Sequence, residues 1–242
     1  MVSELKKEAA VVASEIIQRA LAAGRCNLSE YDSACLISAY GAPVVECKLC
    51  ATPAEAGECA AAIGGPVALK LCSPDVPHKK EKGFVKVGLS GGDAVAAAAA
   101  EMNGRAAGIA VEGFLVQKMV RGERELLAGM NRDHTFGVCV TLGAGGIFTE
   151  ALDDVVVRVA PVSAAEAGRM LAGLKTARVF GEYRGLAAVD AGEAAKVLAG
   201  LGEIGLNHPE VREIDINPLI IGDDGKPLAV DALVILDAGR CE

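Results

Sequence analysis

The chain has no tryptophan, three tyrosines and five phenylalanines among its 242 residues. Its core must therefore come from Ala, Val, Leu and Ile, and it lacks the aromatic platforms on which single-stranded nucleic acid stacks. Positive charge is short as well: 24 Lys and Arg stand against 32 Asp and Glu, a net charge of -8. A general grip on nucleic acid or on an anionic membrane needs a basic face, so the balance argues against both partners. No apolar run reaches the ~20 residues that span a bilayer, because charges or glycines interrupt each one. The first twenty residues show no secretory pattern, and the expectation is a soluble, cytoplasmic protein. The eight cysteines are then expected as reduced thiols, since a chain of this length needs no disulfide staples. Two common nucleotide motifs are missing, the Walker A sequence and G-x-G-x-x-G, which removes P-loop and Rossmann readings.

What is present is a globular composition, 52% hydrophobic and 23% charged with 29 glycines, enough for one large domain or two small lobes. Helical spacing of Leu5, Val12, Ile16, Ile17 and Leu21 predicts a helix over 3–23, ended by Gly24 and read as an N-terminal extension, 1–27. A helix closed by Gly41-Ala42-Pro43, a strand at 44–50, a helix at 53–63 and a buried strand at 66–71 follow. Next come a polar loop at 73–83, a strand at 84–89 and an Ala-rich helix at 93–103. From Gly113 onward long strands joined by short turns predict a mostly antiparallel sheet, over 114–120, 125–132, 138–142 and 155–159. Helices at 164–174 and 191–201, a strand at 211–215 and a closing pair at 219–221 and 228–231 complete it. The change of pattern near residue 112 divides the chain into two α+β lobes, 28–112 and 113–242, with a cleft between them.

Several constellations carry chemistry. Glu213-Ile-Asp-Ile-Asn-Pro218 ends one strand, and Val230-Asp231-Ala232 lies on the strand expected to pair with it. If they form a hairpin, Asn217 and Asp231 converge as hard oxygen donors of the kind Mg²⁺ takes beside phosphates; the plain alternative is an Asn-Pro turn with an exposed Asp. Lys70, alone in an apolar strand, needs either an anion such as phosphate or a route for its head to solvent. Gln117, Lys118, Met119 and Val120 run into a charged hairpin, where strand backbone can hydrogen-bond an adenine edge and Glu125 can serve ribose or metal. His78 stands in the 73–83 loop among Asp75, Lys79, Lys80, Glu81 and Lys82. An imidazole there can act as a phosphoryl nucleophile with ammonium groups beside it, or can simply be a solvated loop histidine. His134 and His208 take the plain reading. Cys47-x-x-Cys50 has no second pair, and on a strand its two side chains face opposite ways, so it reads as packing. The glycines at 143–146 fit a phosphate-approaching backbone or a tight turn equally well.

Taken in order, these segments resemble the ATP-grasp β subunit of ADP-forming acetyl-CoA synthetases and, more distantly, the β subunit of succinyl-CoA synthetase. The likeness covers nearly the whole chain: Leu28-Ser-Glu-Tyr, Ala39-Tyr-Gly-Ala-Pro43, Val67 through Lys79, Gln117-Lys-Met-Val, Arg124-Glu-Leu-Leu-Ala-Gly129, Phe136-Gly through Glu150, Arg158-Val-Ala-Pro161, Tyr183-Arg-Gly185 and Glu213 through Leu219. It implies an ATP-grasp fold with the nucleotide in the cleft between two lobes. It also implies that Lys70 contacts ATP phosphates, that Gln117, Lys118, Met119 and Val120 line the adenine pocket, and that Glu125 binds nucleotide. Asn217 and Asp231 would hold Mg²⁺, and His78 would be the second of two phosphohistidines, with Asp215 close to it during transfer. The acyl and CoA chemistry would belong to an α subunit in an α₂β₂ assembly. Lys79-Lys80 and Gly83-Phe84 depart from the Lys-Ser and Gly-Gly expected after the loop histidine. Two other readings stand beside this one: a carboxylate-amine ligase working alone, which has no use for His78, and a nucleotide-sensing module without turnover.

Overall fold

A computed structural model of the chain describes residues 2–73, 83–146 and 153–237. They form two compact units, one made of Met1–Leu28, Asp32–Val44 and Arg121–Glu242, the other of Ser29–Tyr31 and Val45–Val120.

The smaller unit holds β1 (Cys47–Cys50), β2 (Val67–Cys72), β3 (Val85–Leu89) and β4 (Gly113–Lys118) in one antiparallel sheet, ordered β1-β4-β2-β3. Its two helices are named with those of the larger unit in chain order: α1 (Val2–Ala22), α2 (Glu30–Ala39), α3 (Pro53–Ile63) and α4 (Gly92–Arg105). Helix α3 begins and ends where its sequence says it should. Thr52 accepts the Glu55 amide at 3.2 Å while the Glu55 carboxylate accepts the Ala51 amide, Pro53 fills the first turn, and Gly64 closes the helix at φ 70°. Val67, Leu69, Leu71, Phe114 and Val116 turn one face of the sheet into an apolar core with Val95, Ala99 and Met102. By alternation, Ala68, Lys70, Leu115 and Gln117 line the opposite face, where Lys70 pairs Leu115 and Ala68 pairs Gln117.

The larger unit is built on β5 (Arg124–Asp133), β6 (Gly137–Ala144), β7 (Val155–Val159), β8 (Val211–Ile221), β9 (Pro227–Ala229) and β10 (Ala232–Leu236). The sheet order is β10-β8-β5-β6-β7, with β9 on β8, and all pairs are antiparallel. One face packs Leu126, Ala128, Met130, Val140, Leu142, Ile214 and Ile216 against α1, α2 and two further helices, α5 (Ala164–Gly173) and α7 (Ala191–Asn207). A short helix, α6 (Ala177–Phe180), lies between those two in the chain. Ser163 and Asp190 cap α5 and α7 through the amides of Glu166, Gly192 and Glu193.

Several expectations need correction. The 113–118 strand pairs with β1 and β2, so the smaller unit runs on to Val120 instead of ending at 112. The predicted extension is not an appendage: α1 places Ala13, Ile16, Ile17 and Ala20 in the core of the larger unit. The segments at 211–215 and 219–221 are one strand, because Asn217-Pro218 sits at a bulge. The register with β5 shifts between Leu126 and Ala128, and a bulge is where a sheet accepts proline. Strand β10 was not foreseen. Cys26 takes part in a disulfide, which the expectation of reduced thiols missed, while the other six described cysteines are reduced thiols as expected.

Candidate functional site

In the larger unit, the face of the sheet turned away from the helices collects acidic and amide side chains. Along β8 the buried Ile214 and Ile216 alternate with Glu213, Asp215 and Asn217, which are exposed or half-buried. Along β10, Ala232 and Val234 are buried, and Leu233, next on the open face, pairs Asp215. Ala232 pairs Ile216, which sets Asp231 opposite Asn217, and the Asn217 amide donates to the Asp231 carbonyl at 3.2 Å. Cross-strand neighbours of this kind have Cβ atoms about 4.5–5.5 Å apart. The expected meeting of Asn217 and Asp231 is therefore present, produced by strand register. An amide oxygen and a carboxylate side by side suit a hard divalent cation, and these are the residues that would hold one there.

Asp215 lies one alternation further along this face. Burial, and then the nearby Glu213 charge, push its carboxyl above the usual range of 3.8. A desolvated acid among acids is a common mark of a working site. On β5, Leu126 and Ala128 are buried and Glu125 alternates with them, paired to Ile220. The Gly145 amide donates to the Glu125 carbonyl at 2.7 Å, and a Cβ on Gly145 would stand 2.8 Å from the Glu125 backbone. That close approach explains one glycine of the 143–146 cluster. Gly143 lies within β6, and Gly146 takes φ 91°. Arg124, one residue earlier and 5% exposed, donates to the carbonyls of Val179, Gly181 and Ala187. It ties the segment around Tyr183-Arg184-Gly185 to the start of β5, a role that no sequence signal announced. Arg184 and Gly185 both take positive φ, 51° and 84°, and the amides and carbonyls of Tyr183 and Leu186 bond reciprocally around them.

In the smaller unit Lys70 is 6% exposed, which rules out the solvent route for its head. Its Nζ lies 2.5 Å from the Glu30 carboxylate. Gln117 is equally buried on the same sheet face, while Lys118 and Met119 are exposed. The Lys118 and Met119 amides already donate to Glu46 at 3.0 Å and Pro66 at 3.1 Å, so those two N–H groups are not available to a base. His78 lies outside the described residues. His208 takes the plain reading, buried with its Nε2 at 2.8 Å from the Tyr40 hydroxyl. Cys50 is buried beside Cys59, and burial first, then that thiol, raises it to about 11. Among the described residues no group of three or more His, Cys, Asp or Glu is arranged to hold a metal. A cavity of about 580 Å³ opens among α1, the end of α2 and α7, on the helical side of the larger sheet and not on its acidic face.

Residues 19–236 match the ATP-grasp domain family. The ADP-forming acetate–CoA ligase I of Archaeoglobus fulgidus is 37% identical over 216 residues, covering 88% of this chain and 31% of that protein. The β subunit of ADP-forming acetate–CoA ligase I from Pyrococcus furiosus is 35% identical over 228 residues, 93% of this chain and 97% of that one. The chain belongs to the ADP-forming acetate–CoA ligase family of ATP-grasp proteins. It spans about a third of the Archaeoglobus ligase and nearly the full length of the Pyrococcus β subunit. The ATP-grasp fold also matches dinucleotide-forming acetyl-coenzyme A synthetase 1 of Ca. Korarchaeum cryptofilum, with a TM-score of 0.81, 35% identity, and 93% and 99% coverage. That synthetase was captured with coenzyme A and Mg-AMPPCP, its phosphohistidine segment pointing towards the nucleotide binding site. The ATP-grasp family match supports nucleotide binding by this chain, and no helix among the described residues is long and apolar enough to cross a membrane.

Proposed function

We propose that this ATP-grasp chain carries phosphoryl groups between ADP or ATP and a CoA-binding α subunit, so that cleavage of an acyl-CoA is coupled to ATP synthesis, reversibly. In this reading His78 is the carrier. A phosphoryl group leaves a donor histidine of the partner as its P–N bond breaks and forms a P–N bond to His78. The β-phosphate oxygen of ADP then attacks that phosphorus, making a P–O bond as the P–N bond to His78 breaks and the imidazole leaves. One imidazole serves two sites only if it comes within bonding reach of each.

The observation that carries the reading is the register of β8 and β10, which sets Asn217 directly opposite Asp231 on the face that also bears Asp215. Asn217 and Asp231 hold Mg²⁺, which when bound neutralises phosphate charge and orients the terminal oxygens. Asp215 faces the imidazole during transfer and, as a desolvated carboxylate, stabilises the ring in its cationic form. Glu125 contacts the nucleotide, its position set by the close-packed Gly145. From the smaller unit, Lys70 supplies positive charge to the phosphates, and Gln117 to Val120 line the base. With two of that stretch's amides committed, recognition of the base falls to other groups there. Assembly with α subunits as α₂β₂, and the cytoplasm as its location, follow from the same reading.

The test is to incubate the chain with Mg²⁺ and ATP labelled on its terminal phosphate, with and without a candidate α subunit, beside a His78→Ala variant. Acid-labile, base-stable label on the parent and none on the variant is the expected result. Equal label on both, or none even with a competent partner, defeats the relay and leaves a stand-alone ligase or a nucleotide-sensing module.

A further inference from the structure

We propose that Glu30 is the positioning residue for Lys70, a proposal that rests on the reading of Lys70 as a phosphate contact. The two side chains are 6% and 8% exposed and meet at 2.5 Å. Every residue of β2 around Lys70 is buried, and Glu30 stands forty positions away in the chain as the first residue of α2. Residues Ser29–Tyr31 group with the smaller unit although the segments on both sides of them group with the larger one. The pairing is therefore a long-range tertiary contact and not a local one.

A buried ion pair is a weak way to stabilise a fold, because the attraction roughly repays the dehydration of both charges, and an apolar pair of similar volume often serves as well. What only the ion pair provides is an ammonium that stays protonated out of water and has one position. Without a counter-ion a buried lysine sheds its proton, and its four-carbon stem samples many rotamers. Glu30 counters both tendencies. Lys70 then meets a phosphate already dehydrated and already aimed, so that part of the cost of binding is met when the chain folds. Glu30 acts through Lys70 and touches no reacting atom.

The experiment titrates Mg-ADP calorimetrically into the full chain and into Glu30→Gln, Lys70→Met and the double variant, with melting temperatures beside each. Glu30→Gln is expected to weaken nucleotide binding roughly tenfold, and Glu30→Asp, which keeps the charge, to recover part of the loss. The double variant binds no more weakly than Lys70→Met alone, because the carboxylate has nothing left to position. A purely structural Glu30 would lower the melting temperature and leave the affinity of the folded chain unchanged, which would overturn the proposal. So would losses that simply multiply in the double variant. Parent-like affinity in Lys70→Met sinks the phosphate reading and this proposal together, whereas a loss there with none in Glu30→Gln sinks this proposal alone. If Glu30→Gln does not fold, the comparison of Glu30→Asp with Lys70→Met carries the same decision.

Discussion

Burial and the neighbouring Glu213 hold Asp215 above its usual carboxyl range, so the native state favours its proton more than the unfolded chain does. An acid with a raised folded value costs stability as pH rises past its unfolded value, 3.8 here, and the cost persists at neutral pH. Asp215→Asn should therefore stabilise the chain at pH 7 by roughly 0.5–1 kcal/mol, discounted because the group is only partly buried. In urea titrations the gain should shrink at pH 3, while phosphoryl transfer through His78 falls. A variant less stable at pH 7, or fully active, would remove Asp215 from the working face. His208 has the opposite linkage. Its dominant cause, burial, lowers its value below 6.5, partly offset by Glu210, and the neutral ring holds the Tyr40 hydroxyl. A base depressed in the folded state leaves stability intact above its unfolded value and takes it away as pH falls through the folded one. Melting temperature should therefore decline below about pH 6.5, and His208→Asn should flatten that part of the profile. An unchanged slope would mean that other groups govern the acid limb.

The elements divide into those whose local chemistry suffices and those that tertiary pairing decides. Helix α3 was readable to the residue because cap, first-turn proline and terminal glycine all agree in one short stretch. Strand β8 was not, since Asn217-Pro218 reads locally as a stop, and only pairing with β5 turns it into a bulge. The lobe boundary failed for a similar reason: β4 looks like the first of the long strands that follow, yet it hydrogen-bonds to β1 and β2. At the site, the sequence foretold the Asn217–Asp231 encounter from the hairpin it implies. Glu30 escaped notice because nothing near residue 30 announces a lysine forty positions on. Helix α1 offers the sharpest test at this scale. Read as an extension it should be dispensable, but Ile17 is 1% exposed in the core of the larger unit. Ile17→Ala should cost about 2–4 kcal/mol, measured by urea denaturation. A loss under about 1 kcal/mol, the range for surface changes, would return α1 to the status of an appendage.

For the whole molecule, a net charge of -8 opposes the approach of a nucleotide that is itself an anion. At physiological ionic strength that repulsion is screened beyond ~8 Å, so affinity depends on charges close to the phosphates. In the proposed reading Lys70, paired with Glu30, supplies one of them, while β8 turns Glu213, Asp215 and Asn217 to the open face of the larger sheet. The proposed site therefore needs a divalent cation at Asn217 and Asp231 to reverse the sign of that face. ADP should raise the melting temperature when Mg²⁺ is present, since a ligand at a hundred times its Kd adds about 2.7 kcal/mol. Chelation with EDTA should remove most of that gain. The Asn217→Ala, Asp231→Ala double variant should show the same small gain with or without the metal, and low salt should widen the difference between parent and variant. If chelation instead weakens parent and variant equally, the cation enters elsewhere and the paired oxygen donors of β8 and β10 have another use.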